Sequence, residues 1–263
     1  MNQADIEEVF SRAPMLQDFA PDDFEITPLT GYTNQNFRLQ NQSNDWVLRI
    51  PKPETNRFID REAEAHNQSL ACELGIAPGV DWRDSSGTTL TATLSSNRAL
   101  RAVDFVDDNM LQAILRPIQS LHRSELKFHG RVNLRKLLST HFALLTQVDQ
   151  DRLRPRLQQA ERVLSLLESR DSQYAASHND LVLENLLLDE TQLWIIDWEY
   201  SAMASPYWDL ATLCNAANLD LQQSRRLLHI YCAGERQMEE SILFDYRGLL
   251  KLLSDCWMAA LVD

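Results

Sequence analysis

The chain reads HNDLVLEN at residues 178–185 and IIDWE at residues 195–199. The first segment places Asp180 and Asn185 on a predicted loop, and the second places Asp197 directly after an apolar strand. These side chains supply a proton acceptor and oxygen ligands for a metal ion. Phosphoryl transfer requires both, because the attacking hydroxyl must be deprotonated and the phosphate charge neutralised. The two segments therefore predict a phosphoryl-transfer site and the fold that carries it.

The spacing matches two elements of protein kinases, HRDxxxxN and the DFG segment that follows it. Asp180 is thus predicted to be the catalytic base, and Asn185 and Asp197 are predicted to hold Mg2+ together with ATP. Glu199 is a candidate ligand for a second magnesium ion. His178 is interpreted as a structural residue that organises the loop rather than as a proton carrier.

The order HxDxxxxN, short hairpin, IDWEY resembles the choline kinase and aminoglycoside phosphotransferase superfamily. Residues 196–201 and 206–211 resemble bacterial choline kinases in particular, and GYTN at residues 31–34 resembles their nucleotide loop. The middle of the chain, residues 121–134, is at least as similar to bacterial thiamine kinases. The resemblance implies a protein-kinase-like α+β fold of two lobes, with a small antiparallel sheet in the N-lobe and a mainly helical C-lobe.

The hydrophobic pattern divides the chain in the same way. Residues 24–51 read as three antiparallel strands, FEITPL, NFRLQ and WVLRI, separated by glycine and polar turns. A helix is predicted over residues 60–74, and two more strands are expected at 79–82 and 88–94. From residue 107 the apolar residues recur at helical spacing.

This change of periodicity predicts a nucleotide-binding lobe at residues 1–94, a hinge at 95–101 and a catalytic and acceptor-binding lobe at 102–263. A helix is expected to start after Pro206. Asp209, in its first turn, is interpreted as a cap or as a support for the catalytic loop.

The nucleotide side of the site is predicted in the first lobe. Backbone and hydroxyl donors for phosphate are expected from Gly31, Thr33 and Asn34. Arg49 in the third strand is expected to bridge the phosphates, as the lysine of that strand does in protein kinases. Glu62 and Glu64 are both candidates to fix Arg49, and the resemblance to bacterial choline kinases favours Glu64.

The acceptor implied by the resemblance is a small cationic molecule with a hydroxyl group. Choline or a related amino alcohol ranks first, thiamine second and an aminoglycoside third. Aromatic faces recognise quaternary ammonium groups, and Tyr200 and Trp208 are the preferred candidates. The loop reads VLEN where eukaryotic choline kinases carry QxGN, so one polar acceptor contact is missing. A non-catalytic nucleotide-binding module is the alternative, but neither the base nor a metal ligand is lost.

Composition excludes several other classes. The 25 basic and 38 acidic residues give a net charge of −13, which argues against a nucleic-acid partner. The four cysteines are widely separated, and the segment MNQADIEEVF has no features of a secretory signal. No apolar run is long enough for a bilayer. We therefore expect a cytoplasmic protein without membrane contact, and the absence of GxGxxG, DFG and APE segments excludes a protein kinase.

Overall fold

The structure is a computed structural model that describes residues 3–31, 33–56, 59–94, 97–190, 192–232 and 238–261. In the N-terminal part, five antiparallel strands pair in the order β1-β2-β3-β5-β4. Their bounds are Glu25–Leu29 (β1), Asn34–Gln40 (β2), Asp45–Pro51 (β3), Trp82–Arg83 (β4) and Thr89–Ala92 (β5). The first three strands form where the sequence predicts them, whereas β4 begins later and β5 is shorter than expected.

The sheet has one apolar face and one face that carries the site. Helix α1 (Gln3–Arg12) contributes Val9 to a buried cluster that also contains Leu39 of β2 and Leu48 of β3. Successive side chains of a strand point to opposite faces. Arg49 follows Leu48 and therefore lies on the face opposite this cluster.

Two helices lie between β3 and β4 in sequence, α2 (Pro53–Asn56) and α3 (Arg61–Glu73). The side chain of Asp60 caps α3 by accepting the N–H of Ala63 at 3.0 Å. Gly75 follows the helix with φ +77°, a left-handed conformation that favours glycine. The helix predicted over residues 60–74 is therefore confirmed to within one residue at each end.

The C-terminal part is mainly helical. Its helices are α4 (Asp108–Arg123), α5 (Leu134–Ala143), α6 (Gln147–Arg170), α7 (Pro206–Ala216), α8 (Leu221–Cys232) and α9 (Glu240–Leu261). The regularly spaced apolar residues of α4 all belong to one buried cluster: Leu111, Ile114, Leu115, Ile118 and Leu121. The α+β class, with a small antiparallel sheet before a helical region, is confirmed.

Short strands interrupt the helical part and position the predicted catalytic segments. Strands β6 (Arg98–Ala99), β8 (Leu186–Leu188) and β9 (Leu193–Ile195) form one sheet, and β7 (Ala175–Ser177) pairs with β10 (Ala202–Ala204). The loop after β7 and the segment after β9 are thereby brought side by side.

Of the expected hinge, residues 95–96 lie outside the described residues, and β6 pairs with β8 of the catalytic region. The lobe boundaries stay a prediction. Within the described ranges, no helix is both long enough and apolar enough to span a bilayer.

Candidate active site

A buried carboxylate at the start of α7 holds the loop that follows β7. Asp209 accepts the backbone N–H of His178 at 2.9 Å and that of Asn179 at 2.6 Å. Its other hydrogen bond comes from Nε2 of His122 at 2.9 Å. Burial opposes ionisation of Asp209, but the bond from His122 and the nearby histidines keep its pKa below the usual range. Asp209 therefore supports the catalytic loop, one of the two roles expected for it.

The side chain of His178 holds the loop from the inside. Its Nε2 donates to the carbonyl oxygen of Ile196 at 3.0 Å, and its Nδ1 accepts the N–H of Asp180 at 3.3 Å. A carbonyl only accepts and an amide N–H only donates, so the imidazole is neutral, with its proton on Nε2. Complete burial of the ring lowers the pKa of His178. These contacts support the structural role predicted for this residue.

Two residues of the site have a left-handed backbone conformation. Asn179 has φ +68° and Asp197 has φ +63°, values that Asn and Asp tolerate better than most side chains do. The amide of Asn179 donates to the carbonyl oxygen of Tyr200 at 3.0 Å. The catalytic loop is thus tied to the segment after β9 through the side chain of Asn179.

Asp180 and Asn185, which the sequence places on one loop, are in direct contact. The Asn185 amide nitrogen donates to Asp180 Oδ2 at 3.1 Å and to the Asp180 carbonyl oxygen at 2.9 Å. Loss of hydration on burial, followed by the charges of Asp197 and Glu199, raises the pKa of Asp180 from 3.8 to about 7. A carboxylate with a pKa near neutrality is matched to general base catalysis.

The raised pKa of Asp180 also predicts how stability depends on pH. This group favours the fold most at low pH and loses that contribution as the pH rises through about 7, because the folded protein disfavours its charged form. Asp180→Asn, which stays neutral, should therefore raise the Tm of the metal-free protein at about pH 8, and the gain should shrink toward about pH 4. Scanning calorimetry in EDTA measures both values, and a gain that does not vary with pH would contradict the assigned pKa.

Arg49 joins the sheet to the catalytic segment. Its Nη1 donates to Asp197 Oδ1 at 2.9 Å, and its Nη2 contacts Glu64 Oε1. Glu64 is 1% exposed, whereas Glu62 is exposed on the outer face of α3. Burial opposes ionisation of Glu64, but the charges of Arg49 and other arginines hold its pKa below the usual range. The candidate that contacts Arg49 is therefore Glu64; its role in nucleotide binding stays a prediction.

The predicted nucleotide loop contacts Glu199. Asn34 donates to Glu199 Oε2 at 3.2 Å and to Thr33 Oγ1 at 3.1 Å. Gly31 has no room for a side chain, because a Cβ there would lie 2.6 Å from the carbonyl oxygen of Asn34. Tyr32 of the same loop lies outside the described residues. Loss of hydration and the charge of Asp197 raise the pKa of Glu199. The loop is thus linked to the catalytic segment, and direct phosphate contacts from it stay a prediction.

The two aromatic candidates occupy different environments. Tyr200 is 38% exposed beside the carboxylate group, and burial together with the charge of Glu199 raises the pKa of its hydroxyl. Trp208 is 5% exposed, and its indole N–H donates to the carbonyl oxygen of Asn179 at 2.9 Å. Trp208 therefore supports the catalytic loop from the protein interior. Acceptor binding by either residue stays a prediction.

Arg61 is a member of the site that sequence reasoning missed. Its Nη1 donates to Glu64 Oε2 at 2.6 Å and lies 3.5 Å from Glu199 Oε2. Side chains three residues apart lie on one face of a helix. The Arg-x-x-Glu spacing at the start of α3 was the signal that could have identified it.

The unpaired buried atoms of the site indicate what it binds. Among the described residues, the buried donors of the site without a hydrogen-bond partner include Arg49 Nε and Arg61 Nη2, and the acceptors include Asn34 Oδ1, Asn179 Oδ1 and Glu199 Oε1. Arg83 Nη1 also makes no hydrogen bond, but it lies 3.6 Å from Glu64 Oε2 as an ion pair. Guanidinium donors suit phosphate, and carboxylate and amide oxygens suit a hard cation. No described group of three or more His, Cys, Asp or Glu side chains forms a dedicated metal site. Magnesium bound with a nucleotide needs only one or two carboxylates, so the residues present fit it.

Comparison with known proteins gives three kinds of match. The model of the phosphotransferase enzyme family matches residues 25–241. Protein LicA of Haemophilus influenzae is 32% identical over 218 residues, which cover 79% of this chain and 62% of LicA. The chain therefore spans less than two thirds of that relative's length.

Solved structures show the same fold. A choline/ethanolamine kinase family protein from Mesorhizobium loti superposes with a TM-score of 0.79 at 26% identity, covering 98% of this chain and 85% of that one. Choline kinase LicA from Streptococcus pneumoniae superposes with a TM-score of 0.85 at 21% identity, covering 98% and 90%. The resemblance to the choline kinase and aminoglycoside phosphotransferase superfamily is confirmed, and the similarity to thiamine kinases stays a prediction.

Proposed function

Because the chain belongs to the phosphotransferase enzyme family, we propose that it is an ATP-dependent kinase that phosphorylates a hydroxyl group of choline or a related amino alcohol. The observation that carries the proposal is the arrangement of Asp180 beside Asn185 and close to Asp197, with Arg49 bonded to Asp197. A base, two oxygen ligands and a cation are the parts that phosphoryl transfer requires. Preference for ATP, use of magnesium and a cytoplasmic location are parts of the same proposal.

The mechanism is direct, in-line transfer. Asn185 and Asp197 would hold magnesium, which neutralises charge on the phosphates when it is bound. Arg49, fixed by Glu64, positions the phosphate chain through its guanidinium group. Asp180 accepts the proton of the acceptor hydroxyl at its carboxylate, and its pKa of about 7 suits this role. No covalent intermediate is required.

The electrostatics of the site favour a cationic acceptor. Burial, and then the negative charges of Glu199, Asp180 and Asp197, raise the pKa of the Tyr200 hydroxyl, so all three carboxylates lie near it. An exposed aromatic ring beside negative charge attracts an ammonium group, and such a contact contributes about 0.5 to 2 kcal/mol. One structural neighbour is named a choline kinase and another a member of the choline/ethanolamine kinase family, which supports an amino alcohol as acceptor.

Release of ADP from magnesium-ATP, measured in a coupled assay, tests this function. We expect turnover with choline or ethanolamine, and turnover at least about a hundredfold slower in the Asp180→Asn variant tested in parallel. Turnover with thiamine instead would keep the reaction and change the acceptor, and turnover only with an aminoglycoside would do the same. No turnover with any of these acceptors would count against the proposal and favour a nucleotide-binding module.

A further inference from the structure

Arg61 is a buried cation at the centre of the site. It is the first residue of α3, and its side chain is 10% exposed. Nη1 is shared between Glu64 and Glu199, and Nε donates to Asn56 Oδ1 at 2.6 Å. Three contacts from different elements thus fix the plane of the guanidinium group. Its remaining nitrogen, Nη2, is buried and has no partner among the described residues.

The turn between β4 and β5 is shaped around this guanidinium group. A Cβ at Gly87 would lie 2.5 Å from Arg61 Cδ and 2.6 Å from Arg61 Nε. Gly87 has φ +89°, and its carbonyl oxygen accepts from Arg49 Nη2 at 3.3 Å. The Asp84 side chain fixes this turn by accepting the backbone N–H of Thr88 at 3.0 Å. One glycine backbone therefore packs against both arginines, and a side chain there would displace Arg61.

Three arginine side chains converge on Glu64. Arg49 and Arg61 both form ion pairs with Glu64, and Arg83 lies 3.6 Å from it. Arg49 also pairs with Asp197 and Arg61 with Glu199, so the three arginines face three carboxylates. A buried donor without a partner is nevertheless costly. Such groups persist where a ligand completes them. Arg61 Nη2 is such a donor, and since guanidinium donors suit phosphate oxygens, its open position beside the predicted phosphate site indicates a phosphate group.

We propose that Arg61 is a second phosphate-binding residue, whose Nη2 donates to the β- or γ-phosphate of the nucleotide beside Arg49. The inference rests on the proposed function. Arg61 Nη1 lies 3.5 Å from Glu199 Oε2, and Glu199 follows the predicted metal ligand Asp197 by two residues. Arg61 therefore lies at the end of the site where the transferred phosphate is expected. Its planar fork of donors matches phosphate oxygens in a way that a lysine ammonium does not.

Arg83 provides a matched control. It also faces Glu64, but its Nη2 donates to Gln68, which lies one helical turn further along α3. Arg83→Gln removes one positive charge near Glu64, as Arg61→Gln does, without removing the donor next to Glu199. Comparison of the two variants separates a phosphate contact from a general loss of charge.

Binding of ATP, ADP and AMP to the full chain, measured by calorimetry with and without magnesium, tests the inference. Arg61→Gln should weaken ATP binding by about ten- to a hundredfold, because it removes a charge-assisted hydrogen bond. An equal loss for ADP assigns the contact to the β-phosphate, and a loss for ATP alone assigns it to the γ-phosphate. AMP binding should change little, since AMP lacks the β- and γ-phosphates. Arg83→Gln should keep the wild-type ratio of ATP affinity to AMP affinity, and Arg61→Lys should fall between Arg61→Gln and wild type.

In Arg61→Gln, a loss of affinity that is equal for ATP and AMP, or no loss of affinity for either, would overturn the inference. The proposed function would still stand on the binding and turnover of the wild-type protein. Wild-type protein that binds no ATP would instead overturn the proposed function and the inference with it. Thermal unfolding of each variant shows whether it is folded, and Arg61→Lys repeats the comparison of ATP with AMP if Arg61→Gln does not fold.

Discussion

Asp180→Asn is expected to lower kcat by about a hundred- to ten-thousandfold while binding magnesium-ATP as tightly as the wild-type protein. The amide cannot accept the proton of the acceptor hydroxyl. It has the same shape as the carboxylate, and its oxygen can still accept the hydrogen bond from Asn185. Steady-state kinetics with the best acceptor gives kcat, and calorimetry gives the affinity for ATP.

Glu184→Gln is the matched control for this variant. Glu184 lies in the same loop, is exposed and belongs to none of the contacts of the site described above. The same chemical change there should leave kcat within about twofold of wild type, since isolated surface substitutions have small effects. Full kcat in Asp180→Asn would remove Asp180 as the base.

Asp197→Asn is expected to lose both magnesium-dependent ATP binding and turnover. A bound metal ion stabilises the transferred phosphate by several kcal/mol, so removing its charged ligand should lower kcat/KM by about a thousandfold or more. Asparagine tolerates the left-handed backbone at this position, φ +63°, better than alanine does. Its amide oxygen can still accept from Arg49, so the change isolates the charge of the carboxylate.

Calorimetry with and without EDTA measures this effect directly. In wild type, ATP should bind more tightly with magnesium, and in Asp197→Asn that difference should disappear. Asp189→Asn serves as the control, because Asp189 lies on the hairpin before β9, bonded to Trp194 and Gln192, away from the site. Magnesium-dependent binding that survives in Asp197→Asn would show that the metal is held by other residues.

The two variants together distinguish an enzyme from a binding module. Loss of turnover with binding retained in one, and loss of both in the other, is the pattern of a catalytic base beside a metal ligand. A nucleotide-binding module without catalysis would show the binding defect of Asp197→Asn, but its wild-type protein would release no ADP with any acceptor.

The sequence by itself determined the elements and the order of the motifs. Apolar alternation and helical spacing are local properties, and so are the Asp60 cap and the glycine that follows α3. The five-residue spacing of Asp180 and Asn185 is also local, since both lie on one loop. For this reason the first three strands of the sheet, the helix over residues 60–74 and the place of Asp180 and Asn185 on one loop could be read from the chain.

Tertiary structure decided which charged side chains meet. The contacts of Arg49 with Asp197 and of Asn34 with Glu199 join residues 148 and 165 positions apart. No periodicity encodes such pairs, because they depend on how the sheet, α3 and the catalytic loop pack together. The same packing placed Arg61 between two carboxylates. A local sequence pattern determines on which face of a helix or strand a side chain lies. Which side chain it contacts is determined only when the helices and strands pack together.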